Sequence, residues 1–159
     1  VRGAGRGLAG EGEVARAVGK AAPRGAAVIG VGVVGPSADG EGLGGVVDRV
    51  SRELPESRVI GVETAPLSFL ASWLRLNGQG RANARILYQS MWHADVSDAD
   101  IVYAFLSPAP MAKLYEKLKT EMKPGSLFVS NSFAVPEREP DEVISVDDGR
   151  QTQLLVWRM

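Results

Sequence analysis

Hydrophobic positions change their spacing along this chain, and the changes predict its elements. In "GGVVDRVSREL" (44–54) Val46, Val47, Val50 and Leu54 recur at helical intervals with charges opposite them, as in an amphipathic helix. Residues 59–63 then read as a buried parallel strand, with Gly61 among Val59, Ile60 and Val62. A second helix is expected over 66–76, with Leu67, Leu70, Leu74 and Trp73 on its inward side. Apolar runs at 84–89, 100–106 and 126–133 have strand length. Between the last two, "APMAKLYEKLKTEM" (109–122) places Met111, Leu114, Leu118 and Met122 on one helical stripe, and "KPG" ends it. "EVISV" and "QTQLLVWRM" flank the turn "DDGR", the pattern of an antiparallel hairpin. Strand and helix in alternation, closed by a hairpin, indicate an α/β fold with a parallel sheet and a late antiparallel pair.

The opening of the chain is different. Fourteen of the 19 glycines lie in residues 1–45, and no aromatic precedes Phe69. Large side chains supply most core area, so residues 1–41 form an atypical Gly/Ala-rich segment, set apart from a domain over 42–159. Within it the pattern allows a short helix over 11–20 and a glycine-weakened strand over 26–34. Two readings of the bias stand side by side: a disordered native segment, or an aberrant one resembling shifted-frame translation of GC-rich coding sequence. The first residue is valine, as in a processed or partial product.

Charge and composition narrow the chemistry. Eighteen basic and 19 acidic residues nearly balance, so no overall field recruits nucleic acid or an anionic membrane. With no cysteine, disulfides and thiolate metal sites are excluded, and one histidine, His93, is too few for a histidine-based zinc site. No apolar run reaches the roughly 18 residues of a membrane span, and residues 1–20 lack the apolar centre of a secretory signal. The expectation is a soluble cytoplasmic protein without metal.

One constellation carries candidate chemistry. Gly40, Gly42 and Gly44 form a G-x-G-x-G run at the start of the 44–54 helix. Such glycines let backbone approach a ligand, whose polar groups meet free N–H groups at the helix start. Glu63 ends the next strand 19 residues after Gly44, where an acid can accept both hydroxyls of a ribose. The plainer reading of Glu63 is a carboxylate at the positive end of the following helix. Nicotinamide dinucleotides and S-adenosylmethionine share this arrangement.

The remaining motifs separate the two. "SMWHADVSDADIVYAFLSP", the helix with "KPG" before "SLFVSNSF", and the terminal hairpin together resemble class I S-adenosylmethionine-dependent methyltransferases over residues 40–159. "KPG" is similar to that fold's "L-K-P-G-G" signature. "VSDADIVYAFLSP" and "FAVPEREP" look closest to small bacterial relatives of the mitochondrial protein-lysine methyltransferases acting on adenine nucleotide translocase and the ATP synthase c-subunit. Arg138 stands where those families carry a tryptophan. The resemblance implies a Rossmann-like, seven-stranded, mostly parallel sheet with helices on both faces and a C-terminal antiparallel hairpin. It implies S-adenosylmethionine as cofactor, with Gly40, Gly42 and Gly44 under its methionine part. Glu63 would hold the ribose, with Thr64 and Ala65 beside it, and Ser90, Met91 and Trp92 would border the adenine. Tyr103, Leu106, Ser107 and Pro108 would line the reaction side.

Against the family's usual first loop, Ala38 occupies the acid's position and Asp39 comes one residue late. That departure motivates a rival reading, a non-catalytic domain that kept the fold and lost the cofactor. A nicotinamide-dependent oxidoreductase is third, disfavoured by the hairpin. His93 reads as a solvent-facing loop residue, Asp95, Asp98 and Asp100 as caps, and the lysines at 113, 117, 119 and 123 as a solvated helix face. The loop "LSPAPM" (106–111) offers Ser107 and backbone carbonyls but no cation, which suits a protein or small-molecule amine better than phosphate-rich nucleic acid.

Overall fold

A computed structural model describes residues 6–32, 43–147, 149 and 151–159. Its elements are α1 (Arg6–Ala21), β1 (Ala27–Gly32), α2 (Leu43–Glu53), β2 (Arg58–Glu63), α3 (Pro66–Gly78), β3 (Ala84–Tyr88), β4 (Ile101–Phe105), α4 (Met111–Glu121), β5 (Leu127–Asn131), β6 (Glu142–Ser145) and β7 (Gln153–Arg158). The strands form one sheet in the order β3-β2-β1-β4-β5-β7-β6. The first five are parallel, and β7 runs antiparallel to both β5 and β6. This is the architecture that the alternation of patterns indicates.

Side chains alternate across each strand, so the sheet has two distinct cores. On one face Val28, Val59, Ile86, Ile101, Tyr103, Val129 and Leu154 pack with α1 (Val14, Ala15, Val18), α2 (Leu43, Val47, Val50) and Leu76 of α3. On the other, Val31, Val62, Val102, Phe128 and Trp157 meet α4 through Met111, Leu114, Tyr115 and Leu118. The residues 94–99 add Ala94, Val96 and Ala99 to this second core.

Within the glycine-rich opening, α1 and β1 supply central parts of the fold, since β1 lies between β2 and β4. Its glycines have a packing reason. Gly30 pairs with Gly61 on the neighbouring strand. A Cβ on Gly30 would lie 2.8 Å from Leu43 Cδ1, and one on Gly61 would collide with Ile86 Cδ1 and lie 2.9 Å from Val47 Cγ2. Two bare positions therefore let α2 sit close against the sheet. The first residues of the strands are tied together by Asp100. It accepts the Ala27 N–H (2.8 Å) and pairs with Lys123 (2.7 Å) after α4. Asp48, buried on α2, is clamped by Arg52 (2.8 Å) and by Arg81 (3.3 Å) of the segment before β3.

One expected face is corrected. Leu67, Leu70, Trp73 and Leu74 of α3 are exposed (70, 49, 47 and 56 %), and the helix buries Ser72 and Leu76 instead. The physical reason is Gly44. A Cβ there would lie 2.5 Å from Ser72 Oγ, so α3 meets α2 through its small residues at close range. The stripe expected on α4 is buried throughout.

Candidate functional site

The parallel strands end on a common rung. Tyr88 of β3 pairs with Glu63 of β2. Val31 pairs with Val62, which sets Gly32 of β1 beside Glu63, and Gly32 pairs with Phe105 of β4. Ala104 pairs with Ser130, which sets Asn131 of β5 beside Phe105. All five belong to the face covered by α1, α2 and α3, because they continue the alternation of Gly61, Tyr103 and Val129. The row thus reads aromatic, acid, gap, aromatic, amide, and Gly32 is the gap. At two strand spacings, Glu63 and Phe105 stand about 10 Å apart.

Glu63 is 2 % exposed, and no cation pairs with it among the described residues. Residues 33–42, between β1 and α2, contain no lysine or arginine either. Burial drives its pKa up, offset in part by hydrogen bonds from the backbone N–H groups of Ala65 and Thr64. The Ala65 N–H reaches Oε1 at 2.9 Å. Glu63 ends β2 and receives N–H groups at the entrance to α3, as the plainer sequence reading expects. A desolvated carboxylate without a countercharge is costly unless further donors reach it. The two hydroxyls of a ribose are donors of that kind, and Gly32, next to Glu63 on the rung, carries no side chain. The residues present fit a nucleoside cofactor.

The other expected residues distribute around this acid. Thr64 is exposed and Ala65 half-buried at the start of α3. Gly44 lies in the first turn of α2, buried against Ser72. Gly40 and Gly42, with Ala38 and Asp39, lie outside the described residues. Ser90, Met91 and Trp92 make the turn after β3, where Ser90 Oγ accepts the Trp92 N–H at 3.3 Å. Met91 and Trp92 pack against the second core, and Lys113 Nζ of α4 lies 4.4 Å from the centroid of the Trp92 ring. Tyr103 and Leu106 are each 2 % exposed, so they are packed residues, whereas Ser107 and Pro108 are exposed.

Several plain readings hold. His93 is exposed, and Asp95 accepts the Ser97 N–H (2.9 Å) and hydroxyl (2.6 Å) in a turn. No group of metal-binding side chains occurs among the described residues. Lys113, Lys117 and Lys123 have specific partners, Lys117 pairing with Glu121, which the expectation of a solvated lysine face did not contain. Arg138 lies 5.7 Å from the Tyr115 ring centroid on the second face and pairs with Glu116 at 3.4 Å. Phe105 and Asn131 stood inside apolar runs with no distinguishing residue type. The signal available was position, the last strand residue before a turn.

Residues 39–142 match the family described as the ANTKMT methyltransferase domain. A protein-lysine N-methyltransferase from Saccharolobus islandicus (strain REY15A) is 29 % identical over 111 residues, 69 % of each chain. Among solved structures, the chain is similar to an RNA methyltransferase from Salinibacter ruber in complex with S-adenosyl-L-homocysteine. The TM-score is 0.76 at 20 % identity, covering 92 % of this chain and 88 % of that one. It also resembles a SAM-dependent methyltransferase from Aquifex aeolicus (TM-score 0.67, 14 % identity, covering 95 % and 90 %). At these identities the structural likenesses show the fold.

Proposed function

This chain belongs to the ANTKMT methyltransferase domain family, and on that premise we propose that it methylates an amine of a protein, a lysine side chain. Its cofactor is S-adenosylmethionine. When bound, that molecule supplies a methyl group on a positively charged sulfur; the amine lone pair takes the carbon, and the C–S electrons return to sulfur. The amine's proton passes to water.

The chain's own residues bind, orient and exclude water. Glu63 is the observation that carries the reading, a buried acid at the end of the second parallel strand with no countercharge among the described residues. Its carboxylate would accept the ribose hydroxyls and so hold the cofactor at the ends of the parallel strands. Methyl transfer by in-line displacement depends mainly on positioning and on a desolvated nucleophile, so an acid–base pair is not required. The exit of β4 suits that task, with Pro108 and Pro110 offering no N–H donors and no cation among residues 105–112. The lysine-methylating relative supports the same acceptor class.

Two measurements test the reading. Calorimetry with S-adenosylhomocysteine is expected to give a single site, weakened roughly tenfold or more in Glu63→Ala, the loss of charge-assisted hydrogen bonds. Unchanged affinity removes the ribose assignment. Labelled S-adenosylmethionine with a fractionated lysate is expected to mark material that protease destroys. Label that survives protease and vanishes with nuclease identifies an RNA acceptor instead.

A further inference from the structure

β4 is buried along its length until its last residue. Ile101, Val102, Tyr103 and Ala104 are at most 2 % exposed, and Phe105 is 40 % exposed. A large ring left in solvent at the end of a core strand is out of keeping with the rest of that strand. Its neighbours on the rung are the bare Gly32 on one side and Asn131 on the other.

Asn131 is held in one orientation. Its Nδ2 donates to the Tyr103 hydroxyl (2.8 Å), and Ser132 Oγ donates to its Oδ1 (2.7 Å). Tyr103 is buried beneath it, so this phenol positions the amide. Ser132 adopts φ 67°, in the left-handed region that favours glycine, and its N–H donates to the Gln153 carbonyl at 2.8 Å. A non-glycine residue in that region has a conformational cost that its surroundings must offset, a frequent property of ligand-contacting segments. An amide oxygen accepts two hydrogen bonds, and Ser132 uses one.

We propose that Phe105 and Asn131 form the acceptor side of the site. The Phe105 ring receives the methylene stem and ammonium group of an incoming lysine, and Asn131 Oδ1 accepts an N–H of its amine. The assignment rests on the methyltransferase reading above and names the residues that give it an acceptor. An aromatic face attracts a cation yet offers no hydrogen bond to hold the proton on. The amine reaches the rung as an ammonium, releases a proton to water, and keeps one N–H on Asn131 while its lone pair faces the gap over Gly32. Glu63 and Phe105 then bracket the reacting atoms from opposite sides of that gap.

Sinefungin tests this without an acceptor protein, because it carries a protonated amine where S-adenosylmethionine carries its methyl group. Calorimetry with sinefungin and with S-adenosylhomocysteine separates the acceptor side from the rest of the site. Phe105→Leu is expected to weaken sinefungin about fivefold, the size of a cation–π contact at a partly exposed site, and to leave S-adenosylhomocysteine unchanged. Asn131→Ala is expected to show the same selective loss. Phe105→Tyr, which keeps the ring, and Asn131→Asp, which keeps an acceptor oxygen, are expected to bind sinefungin as the wild type does. Thermal melting of each variant reports its folding, and Phe105→Met replaces Phe105→Leu if the latter does not fold. Equal losses for both ligands, or none for either, overturn the assignment. Failure of the wild-type protein to bind either ligand overturns the cofactor reading itself, and the acceptor side with it.

Discussion

Helices α3 and α4 both carry stripes of large apolar residues, and they use them in opposite ways. On α4, Met111, Leu114 and Leu118 are at most 1 % exposed and face a sheet surface that no other helix shares among the described residues. On α3 the leucines and Trp73 face outward, and Ser72 and Leu76 face the protein. The first helix of the pair is held by a close approach of small groups, the second by apolar area. Area is the stronger fastener, and it resists single changes differently from close contact.

The largest test of that contrast is truncation. Leu118→Ala on α4 is expected to destabilise the protein by about 2–5 kcal/mol in urea unfolding, as for a fully buried leucine. Leu70→Ala on α3 is expected to stay within about 0.5 kcal/mol. Similar losses at both sites would break the comparison.

Enlargement is expected to reverse the ranking. Gly44→Ala forces a methyl group to 2.5 Å from Ser72 Oγ, with the Ser72 Cα only 2.9 Å away, so backbone must shift. The expected cost is about 1–3 kcal/mol, the range for overpacking. Adding Ser72→Gly to the same chain is expected to recover part of it; no recovery would place the strain elsewhere.

Charge sharpens the contrast further, because the acid at the start of α3 and the acid tied to the end of α4 respond to pH in opposite directions. At Asp100 burial raises the pKa, but the Lys123 hydrogen bond, the Ala27 N–H and the Lys123 charge outweigh it, and the net shift is downward. Its contribution is present above the unfolded value near 4 and is lost as pH falls through the depressed folded value. Asp100→Asn is expected to cost about 1 kcal/mol at pH 7 and nothing once both states are protonated. Glu63 is shifted upward, so its burial lowers stability above its folded pKa and the penalty fades as pH falls toward the unfolded value. Glu63→Gln is therefore expected to raise the melting temperature at pH 7–8, with the gain shrinking on acidification. A gain that grows on acidification would contradict the assigned shift.

The smallest effect belongs to Lys113. Removing it as Lys113→Ala takes a cation from the Trp92 ring, an expected loss of about 0.5 kcal/mol. The fluorescence of Trp92 is the more sensitive readout, and an unchanged spectrum would place Lys113 elsewhere in solution.

These helices also mark what the sequence discloses. A periodic stripe tells which side of a helix is apolar, and for α4 that suffices because one apolar surface awaits it. For α3 the deciding contact involves Gly44 and Ser72, small residues that no hydrophobic pattern highlights. Strand order was accessible through motif order. Glu63 was legible because a lone charge ending the run "VIGV" is anomalous by composition alone. Phe105 was not, since its exposure depends on β4 ending one residue later than the surrounding core. Nor was Asn131, whose role depends on the left-handed Ser132, a conformation usually signalled by glycine and here fixed by tertiary hydrogen bonds.

The position of β7 between β5 and β6 has a consequence in time. The ribosome delivers β6 before β7, yet in the finished sheet β6 pairs with β7 and has no other of the described strands beside it. A nascent chain that has reached Ser145 therefore presents β5 with an open edge and β6 with nothing to join. Both wait for the six residues of the last strand, and until then an apolar border including Phe128 and Val129 is available to other chains. Completion of this sheet is a late, single event, and chaperone dependence should concentrate in the interval between synthesis of β6 and release of Trp157.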